Sequence, residues 1–186
     1  MKYLFHHNAV LLLLSSMLTL FWIQGKAQSL SPEDIKVQFV KDWERAKDYT
    51  VDYLNSMPAD KYSFKPVDSI RSFAQQMLHL ALDNVNLISV ATGQERMFGK
   101  RNLDTSPGAQ TKDSVMYLVT ASYDFAISGL QNLDVSKLGE KTNLGKYQET
   151  RFAWILKAFE HQTHHRGQTT IYIRLLGIRP PRERLF

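Results

Sequence analysis

Apolar side chains recur with a helical period in four separate stretches of the chain, and no stretch alternates cleanly with period two. That pattern confines the fold to helices. The first stretch opens on "SPEDIKVQF". Ser31 stands as N-cap, Pro32 takes the first helical position, and Glu33 and Asp34 meet the positive end of the helix dipole. Val37, Val40, Trp43, Ala46, Tyr49, Tyr53 and Leu54 follow on one face until Pro58 stops the run. A second helix is expected from Asp68 or Ser69 to about Ala91, closed by Gly93, with Ile70, Phe73, Met77, Leu80, Ala81, Leu87 and Ile88 inward. A third runs from a cap at Thr111 or Asp113 to about Leu130, burying Val115, Leu118, Val119, Ser122, Phe125, Ala126 and Leu130. A fourth runs from about Gln148 to Leu176, with Gly177 as its stop ahead of Pro180 and Pro181. "GKRNLDTSPGAQ" reads as a loop, and "DVSKLGEKTNLGK" as another with a short β-turn. Four helices of roughly 20 to 29 residues joined by medium-length loops make an all-α four-helix bundle.

The amino terminus is a different kind of segment. The apolar run "AVLLLLSSMLTLFWI", residues 9–23, is short for a spanning helix and ends at "QGKAQ", where Gly25 and Ala27 occupy small-residue positions. Residues 1–27 read as a secretory signal peptide, with retention as an anchor the alternative, and residues 28–186 as one domain. The expected location is therefore the periplasm or the exterior, with no stable membrane span after cleavage. Removing residues 1–27 takes away Lys2 and Lys26 and no acid, so the formal charge falls from +5 to +3. So small an excess, spread along the chain, does not suggest a nucleic-acid binder, and no nucleic-acid partner is expected; "RPPRERLF" at the carboxy terminus is short and solvated. Without cysteine there is no disulfide and no acylated N-terminal Cys, so the core carries the stability.

Chemistry concentrates in "HQTHHRGQ", residues 161–168. His161 and His165 are four apart, about 40° around a helix and one turn above one another, so both imidazoles reach a common point. His164 points about 100° away from His165. The face of the pair also holds Trp154, Ala158, Gln168, Tyr172 and Leu176, so it looks inward. On pattern alone the pair is equally a metal site or two hydrogen-bonded core histidines. The remaining histidine of the domain, His79, shares a polar helix face with Ser72, Gln76, Asp83 and Asn86. That face is either hydrated surface or the wall of a cleft. Gln162 in place of glutamate excludes the H-E-x-x-H zinc protease motif, and no glutamate stands three residues before a histidine, as di-iron bundles require. Nucleophile elbow, P-loop and dinucleotide fingerprint are all missing.

With these residues in place, the chain resembles the DinB-like, or YfiT-like, metalloenzymes. The likeness rests on "HQTHHRGQTTIYIRLLGIRPP", residues 161–181, similar to that family's H-x-x-x-H-R-G-Q helix, and on "SIRSFAQQMLHL", residues 69–80, similar to the segment bearing its first histidine. The resemblance implies a bundle with a long crossover connection and a divalent metal held by His79, His161 and His165. It implies zinc or nickel first, with iron or copper also compatible with three imidazoles. Gly167 would serve close helix approach, Gln168 a substrate or ligand-supporting hydrogen bond, and Arg166 a structural ion pair.

Three neutral imidazoles leave an ion its full charge and an open position, which suits catalysis. The expected activity is a metal-dependent hydrolase or thiol S-transferase acting on a small molecule. Asp83, Tyr172 and Gln168 are the candidates for proton transfer or substrate contact. Export favours hydrolysis, since thiol cosubstrates abound in the cytosol. A non-catalytic metal-binding or interaction protein on the same bundle is the alternative. Bundles of this sort often pair through helix faces, so a homodimer is an expected assembly.

Overall fold

The computed structural model describes residues 29–99 and 102–186; the signal-peptide reading of residues 1–27 lies outside the described residues. Four helices make up most of the unit Pro32–Phe186: α1 (Pro32–Ser56), α2 (Phe73–Thr92), α3 (Lys112–Gln131) and α4 (Arg151–Leu175). A two-stranded antiparallel sheet, β1 (Lys141–Leu144) with β2 (Tyr147–Thr150), precedes α4. The fold is an all-α four-helix bundle.

Side-chain pairings give the helix directions. Thr50 and Lys47 on α1 meet Tyr123 and Asp124 on α3, while Lys112 at the start of α3 reaches the carbonyl of Met57, so α1 and α3 are antiparallel. Phe39 meets Phe152 and Tyr53 meets Thr170, so α1 and α4 are parallel. Asn84 bonds to Ser122, and a Cβ on Gly129 would touch Ile88 and Thr92, so α2 and α3 are parallel. Gln76 meets His165 and Ala91 meets Arg151, so α2 and α4 are antiparallel. The order is up, down, down, up, and around the bundle the helices follow one another as α1, α3, α2, α4. Only the connection between the parallel helices α2 and α3, residues 93–111, must travel the bundle's length. It is the long crossover, and two 3-10 turns, Leu103–Thr105 and Pro107–Ala109, stiffen its second half.

The core is aromatic and aliphatic at its centre: Trp43, Phe73, Leu80, Ile88, Tyr123, Leu130 and Ile155 are fully buried. Each such side chain contributes about 1.5–3 kcal/mol by leaving water. Trp43 sits between Tyr123 and Phe159, with ring centroids at 5.7 and 5.8 Å.

Four expectations need correction. Helix α2 begins at Phe73, not Asp68 or Ser69, because Ser72 forms a reciprocal capping box with Gln75. Ile70 therefore lies outside the helix and is 38 % exposed, and Val37 on α1 is likewise exposed. Helix α4 starts at Arg151 behind the Thr150 cap, so residues 148–150 are strand instead. The absence of any sheet was wrong for the same segment. Gly145, at φ +58, turns a two-residue hairpin in which only Thr142 and Leu144 of β1 alternate inward, too short a run to read as a strand. Among the described residues no helix is long and apolar enough to cross a membrane.

Candidate metal centre

The capping box holds the first turn of α2, and His79 follows two turns in. The Thr150 cap opens α4, and His161 and His165 stand three and four turns further on. Antiparallel packing of α2 on α4 brings the histidines of both helices to one height. One ring nitrogen from each of His79, His161 and His165 lies within 4.8 Å of the others. The rings are 4.3 to 5.2 Å apart, and the Nε2 atoms of His161 and His165 are 3.0 Å apart. The polar face of α2 is thus the wall of an interhelical cleft; Ser72 and Gln76 on it are buried.

Asp83 joins this group. Its Oδ2 is 3.1 Å from His161 Nε2 and 3.6 Å from His79 Nε2, and Asn86 donates to its Oδ1 at 3.1 Å. Burial would raise the Asp83 pKa, but hydrogen bonds from His161 and Asn86 outweigh it and hold the carboxyl below its ordinary value. Burial lowers His79, with the charge of Asp83 opposing and that of Arg71 assisting. His165 is lowered to about 3 by burial and by the neighbouring histidines. The neutral, ligating form of His79 and His165 is therefore favoured.

The outward edges of the rings test whether a cation fits. A histidine that ligates through Nε2 presents an Nδ1–H, which needs an acceptor. His79 Nδ1 is 3.7 Å from Asp104 Oδ2 on the crossover. His165 Nδ1 is 2.8 Å from Gln76 Nε2, which also bonds to Gln168. His161 Nδ1 is buried without a partner. One ring thus has an outer polar contact and another stands near a carboxylate, while the three inner donors are imidazole nitrogens, a set suited to a borderline divalent cation. The residues fit such an ion.

A cavity of about 900 Å³ opens beside His165, walled by Arg71, Gln76, Asp104, Gln168 and Tyr172 among others. Gln168 bonds to Gln76 and to His164 Nε2, so it lies next to the centre rather than in it. Tyr172 contributes its ring to the wall, while its hydroxyl donates to the carbonyl of Arg71 at 2.8 Å. His164 is exposed and outside the group of three. Two expectations for the motif are corrected. Arg166 makes no ion pair among the described residues; it is buried, donates to Gln162 at 2.6 Å and lies over the Tyr49 ring. Gly167 serves no close approach, since a Cβ there would meet nothing within 4 Å; Gly129 is the tight position. Asp104 went unnoticed in the sequence, and Gln76 was seen only as one residue of the polar face. The i, i+3 spacing of Gln76 to His79 is a local signal for it; Asp104 has none.

Comparison with known proteins agrees with this architecture. The model of the DinB family matches residues 27–183. A DinB-like protein from Bacillus cereus ATCC 10987 superposes with a TM-score of 0.66 at 18% identity, covering 78% of this chain and 95% of that one. A DinB-like protein from Bacillus subtilis superposes with a TM-score of 0.61 at 19% identity, covering 80% and 96%. No curated protein sequence matches the chain.

Proposed function

The chain belongs to the DinB family, and from that premise we propose that it is a divalent-metal-dependent enzyme of hydrolase or thiol S-transferase type. His79, His161 and His165 would hold the ion, zinc or nickel first. A divalent cation so held supplies Lewis acidity that makes water or a thiol acidic enough to act as nucleophile near neutral pH. The observation that carries the reading is the Asp83 carboxylate, 3.1 Å from one histidine nitrogen and 3.6 Å from another. An ionised carboxylate at that position accepts the nucleophile's proton, and Asn86 holds its second oxygen in place. Gln76 and Asp104 orient the rings from behind. Hydrolysis is the first form of the proposal, because it needs only water beside the carboxylate, and it also suits export if residues 1–27 direct the chain out of the cytosol.

Elemental analysis of the purified protein is the primary test, with one divalent ion per chain expected. His161→Ala is expected to abolish that stoichiometry. Asp83→Asn is expected to keep the metal, with affinity reduced roughly 10–100-fold, and to lower turnover of an ester panel or of thiol conjugation to 1-chloro-2,4-dinitrobenzene by about 100-fold or more. A protein free of metal, or one whose uptake ignores His161, refutes the centre. Stoichiometric metal with no turnover in either screen favours a binding protein instead.

A further inference from the structure

The cavity beside the histidines carries one fixed charge of each sign. Arg71 is the sole guanidinium or ammonium among the residues that line it, and Asp104 the sole carboxylate. Those two are only loosely paired: Arg71 Nε stands 3.7 Å from Asp104 Oδ2, beyond hydrogen-bond length. Asp104 is shared with His79 Nδ1 at the same distance. Neither Nη group of Arg71 has an acceptor among the described residues, and the side chain is 43 % exposed on the cavity side of the helix cap. Its backbone, by contrast, is fixed. Tyr172 donates to its carbonyl at 2.8 Å, and the next residue is the Ser72 cap. Asp104 Oδ2 stands 3.7 Å from both Arg71 Nε and His79 Nδ1, and His165 lines the same cavity as Arg71, so the free fork and the histidine group share one space.

The rest of the wall is mixed. Gln75 commits its oxygen to the backbone of Ser72, which leaves its amide N–H groups as donors beside Arg71. Ile70 and Ile171, 38 % and 56 % exposed, form an apolar rim with the Tyr172 ring. Isoleucines open to solvent around a cation are what an amphiphilic anion would cover.

We infer that this cavity binds a small organic carboxylate with an apolar body, its carboxylate docked on the free Nη fork of Arg71 and its body along Tyr172 and the two isoleucines. The planar fork matches a carboxylate in a bidentate manner, and Gln75 adds a neutral donor. The other end of such a molecule points toward His165 and the proposed metal. The inference names a substrate class for the proposed enzyme and rests on that reading only for the reacting end.

The test compares 3-phenylpropanoate with the uncharged 3-phenylpropanamide, titrated into zinc-loaded protein and into metal-free protein and followed by NMR. The carboxylate is expected to bind about tenfold or more tightly than the amide in both forms, because one charge-assisted pair is gained. Arg71→Gln is expected to erase that preference while metal content and melting temperature stay as in the wild type, and Arg71→Lys to retain part of it. Equal or undetectable binding of the two compounds overturns the inference. So does a preference that survives Arg71→Gln or vanishes without zinc, since the carboxylate would then be held by the metal alone. A chain that takes up no metal yet prefers the carboxylate through Arg71 removes the metalloenzyme reading and leaves this one standing.

Discussion

Replacing Arg166 by alanine and, separately, by methionine measures what a buried guanidinium with no carboxylate partner contributes to this bundle. The side chain is 6 % exposed. Its Nη1 donates to Gln162 Oε1 at 2.6 Å and to Thr50 Oγ1 at 3.3 Å, and the guanidinium carbon lies 4.7 Å from the Tyr49 ring centroid. A charged hydrogen bond contributes about 1.5–3 kcal/mol and a desolvated cation–π contact about 1–2 kcal/mol. Against these stands the desolvation of an unpaired charge, several kcal/mol in size. Neither acceptor is orphaned by the change: Gln162 Oε1 keeps the Tyr123 hydroxyl at 2.8 Å, and Thr50 still bonds to the carbonyl of Ala46.

Alanine removes the polar contacts and leaves a void, so a loss of about 3 kcal/mol is expected. Methionine removes the charge but fills most of the stem's volume, so a change within about 1 kcal/mol is expected. For a domain of this length those figures mean a melting temperature roughly 6–12 °C lower for Arg166→Ala and within about 4 °C for Arg166→Met. Urea unfolding at constant m-value is the assay. Equal destabilisation by both substitutions refutes the reasoning, since the charge itself would then be the stabilising feature.

Gly167→Ala is expected to raise stability by about 0.5–1 kcal/mol, because the helix interior prefers alanine and a Cβ meets nothing within 4 Å; a lower melting temperature would show that something packs on this position. Gln76→Leu is expected to weaken zinc binding about tenfold or more by removing the polar side chain that meets His165 Nδ1 at 2.8 Å, as read by competition with a chromophoric chelator. Unchanged affinity would mean that the ring is oriented by its packing alone. Acid should destabilise the metal-free fold through His165. An unfolded histidine takes its proton near pH 6.5, whereas the buried His165 stays neutral to about 3. Between those values the unfolded chain binds more protons, so stability is fully present above pH 6.5 and falls as pH drops toward 3. The lowered Asp83 adds a loss in the same direction at the acid end. A flat stability profile from pH 7 to 4, or one unaltered by His165→Phe, contradicts this.

Periodicity and punctuation were enough to read four helices, a third-helix cap at Thr111 or Asp113 (Thr111 in the structure), the Gly93 and Gly177 stops and the i, i+4 pair His161 and His165. Each is a property of a few consecutive residues, set by backbone conformation and the 3.6-residue turn. The start of α2 was also legible, in the Ser72 to Gln75 box, though the apolar pattern around Ile70 concealed it. The short hairpin was not, because four-residue strands with only Thr142 and Leu144 turned inward leave too short an alternation to read. Position on a polar face could not distinguish His79 at a site from His79 in water; only the antiparallel packing of α2 on α4 turns that face toward the other two histidines. Asp104 and Arg71 are further cases. One arrives from a crossover whose return path depends on α2 and α3 being parallel, and the other precedes a helix cap seated under Tyr172. Contacts between residues distant in the chain follow from helix direction and register, and the buried core sets those, not any local run of sequence.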